Sequence, residues 1–143
     1  MKTSRWQQIL LLLILAYEGW GGLTGGTLLV LRPDGHYMKM DINIMHGFFP
    51  DFFIPGLILI GMGALTTTAF IAVLKRTKFD WILAGMAMYG YIIWFTVEIA
   101  VLGQLHWLHI MWGLPVVIGA LLVFPMVPWP KKLHQNADNL VVM

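Results

Sequence analysis

The stretch TVEIAVLGQLHWLH, residues 96–109, sets one carboxylate, Glu98, in an apolar run and follows it with two imidazoles, His106 and His109. A spacing of three places both rings on one face of a helix. Two imidazoles and a carboxylate are competent ligands for zinc or non-haem iron, and His46 offers a third nitrogen. Facing histidines in a helical bundle also ligate haem axially, although covalent attachment through C-x-x-C-H is excluded because the chain has no cysteine. A transition metal or haem is therefore one expectation. The plainer one is that polar residues gather at helix ends whatever a protein does, and that these histidines hydrogen-bond there.

A second carboxylate stands in YEGWGGLTGG. Glu18 and Glu98 are the only glutamates, and both fall inside apolar runs without a Lys or Arg. Ionised carboxylates are costly in hydrocarbon, so such a group faces the bundle interior, is protonated, or finds a partner. Gly21, Gly22, Gly25 and Gly26 follow Glu18 at small-xxx-small spacing, which lets another helix backbone approach closely. Those glycines are expected to be the helix contact for a second copy or a larger membrane partner. Further along, Tyr91, Trp94 or Phe95, and Glu98 recur at three- and four-residue steps and make an aromatic stripe with polar tips. Glu18, Tyr91, Trp94 and Glu98 are thus the candidate ligand-binding residues.

The elements that must carry these groups follow from composition. Of 143 residues, 59% are hydrophobic and 11% charged, and the mean hydropathy is +0.76; a soluble domain carries about 25% charged residues. A span needs about 20 mostly apolar residues, and four runs qualify, roughly 9–31, 52–74, 81–102 and 107–127. The fold expected is all-α: one integral-membrane four-helix domain over residues 1–130 and a short tail over 131–143. The run after Lys2 and Arg5 continues to Leu31 without a small-x-small cleavage site, so it reads as a retained span. Lys2, Arg5, Lys75, Arg76, Lys78, Lys131 and Lys132 fall on one side of the bundle. By the positive-inside rule both termini are cytoplasmic, in a bacterial cytoplasmic membrane. Trp6, Trp81 and Trp129 mark that same side as an aromatic belt. On the opposite, outer side lie His36, His46, His106 and His109 with Glu98 and Asp51. The long connection Arg32–Asp51 opens on a Pro-Asp-Gly turn, and Asp41 could cap a short interfacial helix with Ile42, Met45 and Phe49 on one side. Asp51 is placed to cap the second span.

No nucleophile-elbow, HExxH, Walker or GxGxxG pattern occurs, and the only serine is Ser4. Thr66, Thr67 and Thr68 are expected to hydrogen-bond within their own helix or to a neighbour. The basic residues sit at span ends and form no extended face, so nucleic acid is not an expected partner. The expected partners are the bilayer and either further copies or a larger membrane subunit. The leading functional expectation is a non-catalytic lipid- or small-molecule-binding or accessory subunit. Its rivals are a metal- or haem-dependent enzyme using Glu98, His106 and His109, and a proton-coupled transporter using Glu18.

GGTLLVLRPDG, then FFPDFFIPGLILIGMG, WFTVEIAVL and HWLHIMWG, resembles a group of small bacterial four-span membrane proteins of uncharacterised function. Residues 19–113 carry the likeness, which implies the four-span layout and no activity or site residue. More loosely, four short spans with a glutamate in the first, ILAYEGWGG, resemble small multidrug-resistance transporters, in which Glu18 would be the matching residue. The long outer connection and the second membrane glutamate depart from that pattern.

Overall fold

The computed structural model describes residues 3–128. They form four α-helices, α1 (Arg5–Leu31), α2 (Phe53–Leu74), α3 (Asp80–Leu102) and α4 (Trp107–Val123), and no strand occurs among the described residues. All four are long and apolar enough to cross a membrane, α4 together with its continuation to Met126. Helix α1 begins four residues earlier than the hydrophobic pattern indicates. Ser4 Oγ accepts from Gln7 N–H at 3.2 Å and Gln7 Oε1 accepts from Ser4 N–H at 2.9 Å, a capping box that extends the helix into polar sequence. At the other extreme α4 tightens into a 3-10 turn over Phe124–Met126, where Pro125 has no N–H to give. Trp129, Lys131, Lys132 and the tail 131–143 lie outside the described residues.

The core is marked by small residues rather than by hydrophobicity, because the outward faces are as apolar as the inward ones: Trp20, Ile93 and Leu121 are 75%, 66% and 70% exposed. In lipid, helices associate through close packing rather than through escape from water. Gly22 and Gly26 accordingly meet α2 at backbone range. A Cβ on Gly26 would lie 2.7 Å from Gly56 O and from Ile60 N, and one on Gly22 would lie 3.0 Å from Gly63 Cα and strike the Tyr91 hydroxyl. Gly21 is covered by the Trp112 ring of α4, while Gly25 has open space before it. Three of the four glycines are therefore used inside the chain. Gly25 alone of the four has no neighbour within 4 Å. Pairing α1 with α2 is the most extensive contact in the fold, and α1 with α4 is the sparsest of those between neighbouring helices.

The Arg32–Asp51 connection folds back onto the bundle. Its expected interfacial helix is a single 3-10 turn, Ile42–Met45, capped by Asp41 through Asn43 N–H at 2.9 Å, and a second such turn covers His36–Met38. Left-handed backbone at His46 and Gly47 stops the turn. Met45 is buried against Leu29 and Phe52 rather than spread on a surface. Phe52 N–H donates to Pro33 O at 2.9 Å, which ties the two ends of the connection together, and Asp51 accepts from Phe53 N–H at 2.9 Å at the start of α2.

Candidate functional site

The α3–α4 hairpin brings Glu98 to His109: Oε2 lies 3.7 Å from Nε2, with His109 buried and the Glu98 side chain 31% exposed. The His-x-x-His spacing has a local cause. His106 is the N-cap of α4 and its Nδ1 accepts from Leu108 N–H at 3.4 Å, while His109 Nδ1 accepts from His106 N–H at 3.0 Å. Together they form a capping box with imidazoles in place of the usual hydroxyl and carboxylate. A ring nitrogen that accepts an N–H carries no proton, so a neutral His109 has its proton on Nε2, facing Glu98. His46 serves elsewhere, with Nε2 donating to Leu102 O at 3.3 Å. That carbonyl is among those left unpaired at the end of α3.

Among the described residues no group of three His, Asp or Glu side chains is placed to hold a metal ion, and a catalytic zinc takes three protein ligands. Glu98 and His109 supply two groups. The other candidates, His106 and His46, make hydrogen bonds to the backbone.

Trp94 and Glu98, one turn apart on α3, line a crevice of about 40 Å³. Across it lie Leu29 of α1, Leu59 of α2, and Met40, Met45 and Phe52 of the folded connection. Trp94 Nε1 is buried without a hydrogen-bond partner, and the Glu98 carboxylate makes no hydrogen bond among the described residues. An apolar pocket with a few converging polar groups is the usual form of a small-molecule site. Sequence pattern pointed to Trp94 and Glu98, but not to the methionines and Phe52 that close over them; only the fold-back of the connection brings those near. Phe95 faces another way, stacked on Tyr91 at 5.8 Å and edge-on to His109 at 6.4 Å.

Glu18 and Tyr91 meet at a different level. Each is the central residue of its helix, about 20 Å from the α1 ends and about 17 Å from the α3 ends at 1.5 Å per residue. Tyr91 donates through its hydroxyl to the main-chain carbonyl of Glu18 at 3.1 Å. The Glu18 side chain is 1% exposed and its Oε1 has no hydrogen-bond partner. The three threonines nearby bond their own helix, Thr66 to Met62 O at 2.7 Å, Thr67 to Gly63 O at 2.8 Å and Thr68 to Ala64 O at 2.9 Å.

The bundle thus holds two sites, a crevice at the α3–α4 end with a carboxylate and an unmet donor, and a closed mid-bundle carboxyl beside a tyrosine. Comparison with known proteins adds no relative to either, since no family model, curated protein or solved structure matches the chain.

Proposed function

We propose that the chain is a multi-pass protein of a bacterial cytoplasmic membrane, with both termini inside, that binds a hydroxyl-bearing amphiphile without catalysis of its own. The observation that carries this reading is the pairing of the unpartnered Trp94 indole N–H with the Glu98 carboxylate on one apolar crevice. A hydroxyl satisfies both, accepting from the indole and donating to the carboxylate, while the alkyl chain takes the apolar wall. The crevice as it stands has room for about one to three waters. A ligand therefore enters by displacing the covering turn, and Met40 and Met45 are side chains that repack easily. Neither a nucleophile nor a third metal ligand accompanies Glu98, so binding is the activity its surroundings support. The test is binding of dodecanol against dodecyl methyl ether, which keeps the oxygen and loses the donor, followed by native mass spectrometry in mild detergent. Dodecanol is expected to bind about tenfold tighter, a difference of ~1.4 kcal/mol that one charge-assisted hydrogen bond supplies. Glu98→Gln should narrow the gap, whereas Trp94→Phe should weaken alcohol and ether alike and leave the gap in place. Equal binding of alcohol and ether, or a gap unchanged in Glu98→Gln, would refute the assignment.

Glu18 favours a second reading, in which ligand binding or transport is linked to a proton. A carboxyl at the middle of the bundle with an unpartnered oxygen and no cation near it is the group such coupling uses. Dodecanol binding measured from pH 5 to 9 separates the two: a pH dependence that vanishes in Glu18→Gln supports coupling, and one that persists excludes it.

A further inference from the structure

The end of the bundle opposite the histidines holds a larger cavity, about 320 Å³, at the mouth where all four helices converge. That is within the range of small-molecule sites, about 300–1,000 Å³. Two opposite charges line it, Arg76 after α2 and Asp80 at the start of α3. They do not pair: within 4 Å the ion pairs among the described residues are Arg32 with Asp34 and His109 with Glu98.

Arg76 is an unexpected residue for its position. Its φ is 51°, its N–H bonds Val73 O at 3.2 Å, and Thr77 N–H bonds Ala72 O at 3.1 Å. This is the closing turn of a Schellman motif, whose left-handed residue is usually glycine. A side chain there carries a backbone cost that glycine avoids. What the position gains is the guanidinium, which donates through Nε and Nη2 to Gln8 Oε1 at 3.1 and 2.6 Å. Gln8 in turn donates to Val73 O at 3.0 Å. A neutral amide thus holds the cation in place and leaves its charge uncompensated. Asp80 is fixed in the same manner, with Oδ1 accepting from Trp81 N–H at 2.6 Å and the other oxygen without a hydrogen bond among the described residues.

We propose that this cavity binds the zwitterionic headgroup of a phosphoethanolamine lipid, with the phosphate on Arg76 and the ammonium on Asp80. The glycerol end lies against Leu11, Val73, Leu122 and Met126, which form the apolar part of the lining. Leu11 and Leu122 belong to α1 and α4, the neighbours in sparsest contact, so the acyl chains leave between them. Guanidinium and phosphate make strong charge-assisted hydrogen bonds. Asp80 supplies the selection. A choline ammonium has no N–H to give it, and an anionic headgroup without an amine sets a second negative charge against it, a cost that discriminates as well as the attraction does. The proposal rests on the membrane reading, since only a bundle in a bilayer brings this mouth to headgroup depth.

The experiment uses the full chain in mild detergent, titrated with the dihexanoyl forms of phosphatidylethanolamine, phosphatidylcholine and phosphatidylglycerol, and with inorganic phosphate, and read by native mass spectrometry. Phosphatidylethanolamine should bind at least about tenfold tighter than each of the others, or ~1.4 kcal/mol. Arg76→Gly suits the backbone, so its helicity and melting temperature are retained while the ethanolamine lipid is lost by the same factor. Asp80→Asn keeps the acceptor for Trp81 N–H and should erase the preference over phosphatidylcholine. A preference below tenfold, or unchanged binding in Arg76→Gly, overturns the proposal. Phosphate binding as tightly as the lipid overturns it in favour of a free anion. Carbonate extraction of native membranes separates the two levels of inference. A chain that leaves with carbonate sinks the membrane reading, whereas one that stays and shows no headgroup preference sinks this proposal alone.

Discussion

His109 combines three contacts: it receives the His106 N–H, lies edge-on to Phe95 and faces Glu98 across 3.7 Å. Its partner His106 only caps. Removing a cap costs about 0.5–2 kcal/mol, so His106→Ala should lower the melting temperature in detergent, and His106→Asn, which retains an acceptor, should recover most of the loss. His109→Ala should cost more, because it also leaves the half-buried Glu98 without its neighbour. Adding a chelator should shift none of these melts, since no three metal-binding side chains converge among the described residues. A chelator-induced drop confined to proteins with both histidines would restore the metal reading. Outside the helices, Asp34 accepts from Arg32 at 2.8 Å and from His36 N–H at 3.0 Å. The Arg32 hydrogen bond, first among the causes, holds its carboxyl below the usual carboxylate range. A group whose acidity is raised in the fold contributes above its unfolded value and stops contributing as pH falls through the folded one. The protection of the His36 amide, its exchange rate relative to the intrinsic rate at the same pH, should therefore hold at neutral pH and fall only below about pH 4, the ordinary carboxylate range; a loss of protection at higher pH would show that the pair does not hold the turn.

Helix α1 shows how much of a long apolar helix can be read from its residues and where that reading stops. Small-xxx-small spacing identified a contact face. What it could not give was which glycine meets what, because that depends on the rotation of α1 against α2, and Gly56 and Gly63 on the facing helix complete the seam. The two ends of the motif now predict opposite effects. Gly26→Ala puts a Cβ at 2.7 Å from backbone atoms that cannot swing aside, an overpacking cost of about 1–3 kcal/mol. Gly25→Ala, one residue away, meets nothing within 4 Å and should stabilise by about 0.5–1 kcal/mol through helix propensity. Thermal unfolding of the two variants in the same detergent checks both, and equal effects would mean that α1 is rotated from the seam described. The Ser4–Gln7 capping box was legible in principle, as Ser-x-x-Gln before an apolar run, but hydropathy alone placed the helix start at residue 9.

The number and order of the helices were open to inspection because 20 apolar residues at a stretch have few other fates. Their mutual placement was not, since helices apolar on every side carry no stripe that says which face turns inward. Here the inward faces are declared by the buried Gly22, Gly26 and Gly63, Ala69, Ala84 and Ala87, with Thr66, Tyr91 and Glu18. The Trp94–Glu98 crevice and the Arg76–Asp80 mouth were hidden for a related reason: each draws on residues from three or four helices, or from a connection whose path no local rule sets. The two mouths lie at opposite ends of the bundle, and the leaflet each would meet depends on which end faces the cytoplasm. Lys75, Arg76 and Lys78 crowd the α2–α3 turn, while the α3–α4 turn has no Lys or Arg, so the orientation proposed from the positive-inside rule has the α2–α3 turn within. Because the chain has no cysteine, single substitutions report cleanly. Asn43→Cys and Thr77→Cys both fall at exposed positions, one in each class of connection. In intact spheroplasts a membrane-impermeant maleimide should label Asn43→Cys at once and Thr77→Cys only after permeabilisation. The reverse pattern would exchange the two mouths, placing the Arg76–Asp80 cavity among outer-leaflet headgroups and the Glu98 crevice toward the cytoplasm. Equal labelling of both before permeabilisation would mean that the four helices do not cross the bilayer as a single oriented bundle.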